Sequence, residues 1–131
     1  MDIYQTGLHL WERWTAMWNG EPALARQLVA PGFVLHLTAP IVDPRTVVDE
    51  PSVERWVAAH CAKFDQLTFS TKHGPFVDVA RGIVAGPWIA DAIIAGRPQP
   101  ICGMDTIAFA DGKITAYWTL SNRTESFGDW A

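Results

Sequence analysis

Near the start of the chain, mostly apolar residues recur with the period of an α-helix. These residues are Leu8, Trp11, Thr15 and Trp18. Positions at i, i+3, i+7 and i+10 share one helical face, so the sequence predicts an amphipathic helix over residues 3–19. Proline favours the first turn of a helix. Pro22 therefore predicts a short second helix over 22–30, and Pro51 predicts a third helix over 51–64.

The rest of the chain mostly follows the alternation of β-strands. Strands are expected over 33–38, 67–78, 82–95, 99–110 and 113–122. The Asp-Gly pair before the last strand tolerates positive φ and predicts a tight hairpin turn. Helices first and hairpin-linked strands afterwards predict an α+β fold, a conical barrel in which a strongly curved, mostly antiparallel sheet packs against three N-terminal helices.

Composition and charge narrow the class of protein. A length of 131 residues predicts one domain, and a chain that is 49% hydrophobic and 18% charged is not expected to be disordered. A net charge of −4, with only ten scattered Lys and Arg residues, disfavours a nucleic-acid partner. No apolar run suits a membrane span and the N-terminus does not resemble a signal peptide. The sequence therefore predicts a cytoplasmic protein, with Cys61 and Cys102 as reduced thiols and a disulfide between them as the alternative.

The order of elements and two phrases carry a family resemblance. Helix, helix, APGFVLH, helix and then GMDTIAFADGKITAYW resembles the SnoaL-like family, within the nuclear transport factor 2-like or ketosteroid isomerase-like superfamily. The resemblance covers nearly the whole chain and implies a conical α+β barrel with a deep pocket and frequent dimerisation through the sheet. That superfamily contains isomerases, polyketide cyclases and dehydratases, and also pocket proteins without catalysis. Function must therefore be argued from the site.

Asp105 is the first candidate for chemistry. It alternates with Ile107 and Phe109, so all three share one face of a strand. If that face lines the cone, burial raises the pKa of the carboxyl and favours its neutral form. The resemblance matches Asp105 to the oxyanion-hole Asp of ketosteroid isomerase and to the Asp proposed as acid/base in SnoaL-type cyclases. The alternative is an Asp that caps a turn or pairs with an Arg on the outer face.

Two further residues complete the predicted catalytic group. His36 stands, by the resemblance, where ketosteroid isomerase carries its general base, and a neutral imidazole can remove a proton next to a carbonyl. Asp91 is flanked by isoleucines at ±2 and is predicted to be an auxiliary acid. A histidine bonded to backbone and an Asp paired with Arg81 or Arg97 are the respective alternatives.

A set of large side chains is predicted to bind substrate. The set consists of Trp14, Trp18, Trp56, His60, Phe64, Trp88, Met104 and Trp118. Ordinary packing in the core or at a dimer interface is the alternative for each of them. Trp14 departs from the family, because the resemblance places a catalytic Tyr of ketosteroid isomerase there and an indole is the weaker donor.

The motifs indicate neither a metal nor a cofactor. Metal-ligand spacings such as HExxH, nucleotide-binding glycine patterns and GxSxG are all missing from the sequence. The favoured hypothesis is a cofactor-free enzyme that moves a proton next to a carbonyl of a hydrophobic small molecule, as an isomerase, cyclase or dehydratase. The alternatives are a non-catalytic protein that binds an apolar metabolite, and an assembly domain that forms a homodimer through the sheet.

Overall fold

The computed structural model describes residues 1–37 and 42–125. The helices are α1 (Ile3–Trp18), α2 (Ala25–Leu28) and α3 (Glu50–Cys61), with 3-10 turns at Pro22–Leu24 and Pro44–Thr46. The strands are β1 (Val29–Leu37), β2 (Gln66–Thr71), β3 (Phe76–Asp78), β4 (Ile83–Ile94), β5 (Arg97–Pro98), β6 (Ile101–Ala110) and β7 (Lys113–Arg123). Three helices thus precede most of the sheet, as the sequence predicts.

Capping residues fix where the two longer helices begin. The Asp2 carboxylate accepts from the Gln5 backbone N–H, and the Gln5 side chain accepts from the Asp2 backbone in return. Asp49 and Ser52 make the same reciprocal arrangement at the start of α3. Each pair satisfies backbone donors that the first helical turn leaves without a partner.

The strands form one seven-stranded sheet that is curled but not closed. Its order is β1-β7-β6-β4-β2, with β3 and β5 paired to the two ends of β4. Only β1 and β7 run parallel, and every other pair is antiparallel. The predicted α+β class and the mostly antiparallel, strongly curved sheet are therefore confirmed.

Two predicted elements differ from the structure. The second helix shrinks to a 3-10 turn and one α-helical turn, because β1 already begins at Val29, where it pairs with Ile114. The predicted strand over 67–78 divides into β2 and β3, since Pro75 lacks the N–H that a continuous ladder needs there. The end of the predicted strand 33–38, Thr38, lies outside the described residues.

A β-bulge between β6 and β7 decides which side chains of β7 face inward. Phe109 lies opposite Ile114, but Ala108 lies opposite Ala116, so β7 gains one residue between these pairs. The extra residue shifts the alternation by one position beyond the bulge. From the bulge to the end of β7, the side chains that point inward are therefore those that would point outward in a hairpin without a bulge.

The core fills the concave side of the sheet. Trp14, Met17 and Phe33 from the helices and β1 meet Ile107 and Ile114 of the sheet, and all five are at most 2% exposed. The convex side carries apolar side chains that remain exposed, among them Met104 and Leu120. The fold therefore separates an enclosed apolar interior from an outer sheet face that is also partly apolar.

Candidate functional site

An aromatic cavity opens between α1, α3 and the concave side of the sheet. Its lining residues are Trp11, Trp14, Thr15, Trp18, Trp56, His60, Phe69, Ser70, Trp88, Asp105, Tyr117, Thr119 and Ser121. The volume of the cavity is about 80 Å³. Most of the wall is aromatic, which suits a planar apolar ligand.

Asp105 sits at the wall of this cavity and is 7% exposed. Alternation along β6 places it on the same face as Ile107 and Phe109, as the sequence predicts, and the structure turns that face inward. Gly103, two residues earlier, leaves room beside the sheet for the Trp88 indole, because a Cβ on this glycine would lie 2.6 Å from Trp88 Cζ2. The sheet thus holds a carboxyl group and an indole in direct contact.

Three donors from neighbouring strands bind the Asp105 carboxylate. The Trp88 indole N–H and the Thr119 hydroxyl donate to Oδ1 over 2.8 and 2.7 Å. The Tyr117 hydroxyl donates to Oδ2 over 2.6 Å. No arginine or lysine contributes to this network among the described residues, so neutral dipoles alone stabilise the negative charge.

Burial raises the pKa of Asp105, and the three hydrogen bonds lower it. Burial is the larger effect, so the pKa is about 6. The carboxyl is therefore ionised in most molecules at neutral pH. Burial and the Asp105 charge raise the pKa of Tyr117 well above its usual value, so this phenol keeps its proton. Asp105 is consequently the member of the pair that titrates near neutrality.

The two oxygens of Asp105 differ in their remaining capacity to accept a proton. A carboxylate oxygen has two lone-pair sites. Oδ1 uses both, for Trp88 and Thr119, whereas Oδ2 uses one, for Tyr117. The free lone pair for proton transfer is therefore on Oδ2.

Two indole N–H groups of the cavity wall have no acceptor. Trp14 and Trp18 are 2% and 8% exposed, and neither Nε1 has a hydrogen-bond partner among the residues that the structure describes. Trp11, by contrast, donates to the Thr71 hydroxyl over 2.9 Å. Buried donors without a partner are costly and uncommon in proteins. Trp14 lies against Tyr117, with ring centroids 4.8 Å apart.

His60 is the second titratable residue of the cavity. Its ring packs edge-on against Trp18, with centroids 5.4 Å apart. Burial, and to a smaller extent the charge of Lys63, lower the pKa of this imidazole. His60 is therefore neutral at physiological pH, and the ionised Asp105 carries the charge of the cavity.

The structure brings together six of the predicted site residues. Asp105, Trp14, Trp18, Trp56, His60 and Trp88 all line the aromatic cavity. Phe64 lies beside it and packs on His60, with ring centroids 5.2 Å apart. The sequence thus located six of the thirteen residues that line the cavity.

The predicted convergence of His36 and Asp91 on Asp105 does not occur. Phe33 and Leu35 take the inner face of β1, so alternation turns His36 outward, where it stacks on Trp118 with centroids 4.4 Å apart. Both residues of this stack therefore lie outside the cavity.

Asp91 and Met104 face outward for the same reason. On β4, the buried Ala90 and Ala92 occupy the inner face and leave Asp91 exposed. On β6, Met104 precedes the inward Asp105 and is 51% exposed. Neither residue lines the aromatic cavity.

Tyr117 and Thr119 are functional candidates that sequence reasoning missed. Counting back from the Asp-Gly turn without a bulge pairs Asp105 with Trp118 and turns Trp118 inward. The bulge instead pairs Asp105 with Thr119. The sequence did contain a signal, because Tyr117, Thr119 and Ser121 alternate along the last strand and all carry hydroxyl groups. Pairing the two strands with one extra residue in β7 places this row opposite Asp105.

Neither a metal cluster nor a membrane-spanning helix is found in the described residues. No group of three or more His, Cys, Asp or Glu side chains within 1–37 and 42–125 is arranged to hold a metal ion. In the same ranges, no helix is both long and apolar enough to cross a membrane. Both cysteines, Cys61 and Cys102, are free.

Comparison with known proteins identifies the fold through solved structures. No protein-family model and no curated protein sequence matches the chain. IdmH of Streptomyces antibioticus, a candidate polyketide cyclase, is 22% identical with a TM-score of 0.73, over 88% of this chain and 91% of that one. A candidate polyketide cyclase from Acidithiobacillus ferrooxidans is 17% identical with a TM-score of 0.75, over 97% and 95%.

A third solved structure carries the family name itself. A candidate SnoaL-like polyketide cyclase from a Jannaschia species is 12% identical with a TM-score of 0.73, over 90% of this chain and 86% of that one. Identities this low establish a common fold, and the cavity has to supply the chemistry. The chain has the cone fold of the SnoaL-like proteins, as its sequence predicted.

Proposed function

We propose that the protein is an enzyme that moves a proton next to a carbonyl group of a hydrophobic small molecule, with Asp105 as the general base. One observation carries the proposal: a buried carboxylate in an aromatic cavity has a pKa of about 6 and one free lone pair on Oδ2. A base that is ionised at neutral pH and titrates close to it suits acid–base catalysis.

In the proposed step, Oδ2 of Asp105 takes a proton from the carbon next to the ligand carbonyl. The electrons of the broken C–H bond form a carbon–carbon double bond, and the carbonyl electrons move to its oxygen, giving an enolate. Protonation of Asp105 weakens its hold on the Tyr117 hydroxyl, which is then free to donate to the enolate oxygen. The Trp14 indole, packed on Tyr117, is a second donor on this side of the cavity.

The enolate then has two outcomes. If the ligand has a carbon–carbon double bond conjugated with the enolate, return of the proton from Asp105 to the far end of that conjugated system moves the double bond and isomerises the ligand. Attack of the enolate carbon on a second carbonyl of the same ligand closes a ring, and Asp105 gives its proton to the new alkoxide. Both outcomes use the same first step, so the same base and the same donors serve an isomerase or a cyclase.

The proposal changes the roles given to four residues. The ionised Asp105, which accepts three hydrogen bonds, is a base and not the neutral donor first expected. The outward positions of His36 and Asp91 leave them without a role in proton transfer. His60 is the neutral residue through which a proton could reach the solvent at the cavity mouth.

Exchange of ligand protons for deuterium tests the proposal. A bicyclic ketone such as tetralone is incubated with the protein in heavy water, and loss of its α-proton signals is followed by NMR. The wild-type protein is expected to accelerate exchange, and Asp105→Asn is expected to abolish the acceleration. Asp91→Asn makes the same chemical change on the outer face and is expected to exchange at the wild-type rate. Exchange by Asp105→Asn at the wild-type rate would leave a non-catalytic binding protein as the better description.

We further propose that two copies associate through the convex face of the sheet. Met104, Leu120 and Val34 are 51%, 58% and 45% exposed on that face, and the stacked His36 and Trp118 lie beside them. Exposed apolar side chains grouped on one face are typical of an association surface. The aromatic cavity is on the opposite side of the sheet, so this association leaves its mouth open.

A further inference from the structure

A second cavity lies beside the aromatic cavity, along α3. It is lined by residues of α3, by Lys63 just after this helix and by Val42, Thr46 and Val47, and its volume is about 390 Å³. Two of its lining residues, Trp56 and His60, also line the aromatic cavity. One layer of side chains therefore separates the two spaces.

Trp56 and His60 are one helical turn apart on α3 and pack around the same partner. Their rings both lie edge-on to Trp18, with centroids 5.0 and 5.4 Å away. Both are partly exposed, and both line the two cavities. A ligand that occupies both cavities therefore lies against these two side chains.

The two cavities differ in charge. The aromatic cavity contains the Asp105 carboxylate and no Lys or Arg among its described lining residues. The second cavity is lined by Arg55 and Lys63 and by no Asp or Glu among the described residues. Both cations are exposed, in a protein whose net charge is −4.

The carboxylates nearest Arg55 have other partners. Glu54 binds the Arg26 guanidinium through two hydrogen bonds of 2.8 and 2.9 Å. Asp49 caps the first turn of α3 through Ser52. Within the described part of the chain, Arg55 and Lys63 form no ion pair with either group.

We propose that the substrate has two parts: a planar, uncharged ketone that enters the aromatic cavity, and an anionic tail that binds Arg55 and Lys63 in the second cavity. This inference rests on the proposed proton-transfer function and adds the class of substrate. An anion is repelled by Asp105 in the first cavity and attracted by both cations in the second. A guanidinium and an ammonium each bind carboxylates and phosphates.

Calorimetric titration with matched ligands tests the tail site. Naphthoylpropionate carries a carboxylate tail, a naphthoylpropyl phosphate carries a phosphate, and naphthoylpropionate methyl ester has the same shape without a charge. The wild-type protein is expected to bind one or both anions at least about ten-fold more tightly than the ester. A preference for one anion over the other identifies which tail the site accommodates. The preference is expected to shrink as salt is added.

Charge-removing variants locate the effect. Arg55→Gln with Lys63→Gln is expected to bind acid and ester equally and to leave the affinity for the ester unchanged. Lys72→Gln removes an exposed cation outside both cavities and is expected to keep the wild-type preference. Equal binding of anion and ester by the wild-type protein, or a preference that survives in the double variant, overturns the inference.

The outcome is separable from that of the proposed function. Deuterium exchange of the methyl ester, with Asp105→Asn as its control, tests proton transfer without a charged tail. Exchange of the ester together with equal binding of all three ligands keeps the proton-transfer proposal and rejects the tail site. Tight anion binding that depends on Arg55 and Lys63 supports the tail site, whatever the rate of exchange.

Discussion

The Tyr117 hydroxyl donates to Oδ2 of Asp105 over 2.6 Å, with both side chains buried on the inner face of the sheet. The pKa of the phenol is far above neutrality, whereas that of the carboxyl is about 6. The carboxyl is therefore the member of the pair that gains and loses a proton near neutral pH.

The pH dependence of activity follows from the ionisation of Asp105. The base is active only when ionised, so the rate of deuterium exchange is expected to rise with pH through about 6 and to level off above it. The rate is measured by NMR over about pH 4.5 to 8.5 with one ketone, after subtraction of the buffer-catalysed rate. A rate that falls over the same interval would assign Asp105 the role of a general acid.

The ionisation of Asp105 also affects folding stability, which is expected to fall with rising pH where the exchange rate rises. The pKa of Asp105 is about 6 in the folded protein and 3.8 in the unfolded chain, so between these values the folded state holds more protons. Stability is therefore lost as pH rises through this interval, by about 3 kcal/mol when complete. Asp105→Asn removes the charge, and its amide can still accept from Trp88 and Thr119 and donate to Tyr117.

Urea unfolding of both proteins measures this effect. The difference in free energy of unfolding between Asp105→Asn and wild type is expected to move in favour of the variant between about pH 4 and about pH 8. Other titrating groups are common to both proteins and cancel in the difference. A difference that is the same at both pH values would contradict the raised pKa of Asp105.

Removal of one donor to the carboxylate is expected to raise its pKa further. Thr119→Val keeps the shape of the side chain and deletes the 2.7 Å hydrogen bond to Oδ1. A hydrogen bond to a charged group contributes about 1.5–3 kcal/mol, so the midpoint of the pH–rate profile should shift upward by about one to two pH units. Thr15→Val is the control, because Thr15 lines the same cavity but donates to the Trp11 carbonyl. An unshifted midpoint in Thr119→Val would show that this hydroxyl does not stabilise the charge.

Gly103→Ala should disturb the site through Trp88. The new methyl group would meet the Trp88 ring at 2.6 Å and the Leu120 carbonyl oxygen, so the indole or strand β7 has to move. We expect a loss of about 1–3 kcal/mol of stability and an upward shift in the activity midpoint, since the Trp88 N–H is withdrawn from Asp105.

Gly96→Ala is the matched control for that substitution. Gly96 has φ +75, and no heavy atom lies within 4 Å of the position that an alanine methyl group would take, so alanine there introduces backbone strain alone. It is expected to lower stability without moving the activity midpoint. A midpoint that shifts equally in both variants would mean that lost stability, and not the displaced indole, alters Asp105.

Association through the convex sheet face is tested by charge. Leu120→Glu places a carboxylate in the centre of the exposed apolar group and is expected to convert a dimer into a monomer. Val79→Glu changes an apolar residue of similar exposure in a turn away from that face, and it should remain dimeric. Sedimentation analysis at several concentrations measures the difference. A wild-type protein that is monomeric throughout would reject the association.

The sequence predicted the fold better than the details of the site. Helical spacing and alternation were strong enough to predict three helices, most strands and the shared face of Asp105, Ile107 and Phe109, but not that this face lies inward. The partners of Asp105 depended on the register of β7, and a bulge of one residue replaced Trp118 with Thr119 opposite it. A bulge is stabilised by contacts along the whole strand pair, so local alternation cannot reveal it.

His36 shows a second limit of sequence reasoning. Alternation correctly separated Phe33 and Leu35 from His36, but it could not say which set faced the concave side. The two large apolar side chains filled the core, and the histidine stacked on an outer tryptophan instead. The orientation of His36 therefore followed from the burial of Phe33 and Leu35, and the position of a catalytic residue in the resembling family did not predict it.

The concentration of indoles around one space gives the protein a built-in optical reporter. Of the six tryptophans within the described residues, five line the aromatic cavity, and the centroids of neighbouring rings are 5.0 and 6.4 Å apart. Rings this close exchange excitation energy and couple their electronic transitions. The near-ultraviolet circular dichroism and the intrinsic emission of the protein therefore originate largely in the cavity wall, so both should respond when a molecule enters it, without any added label.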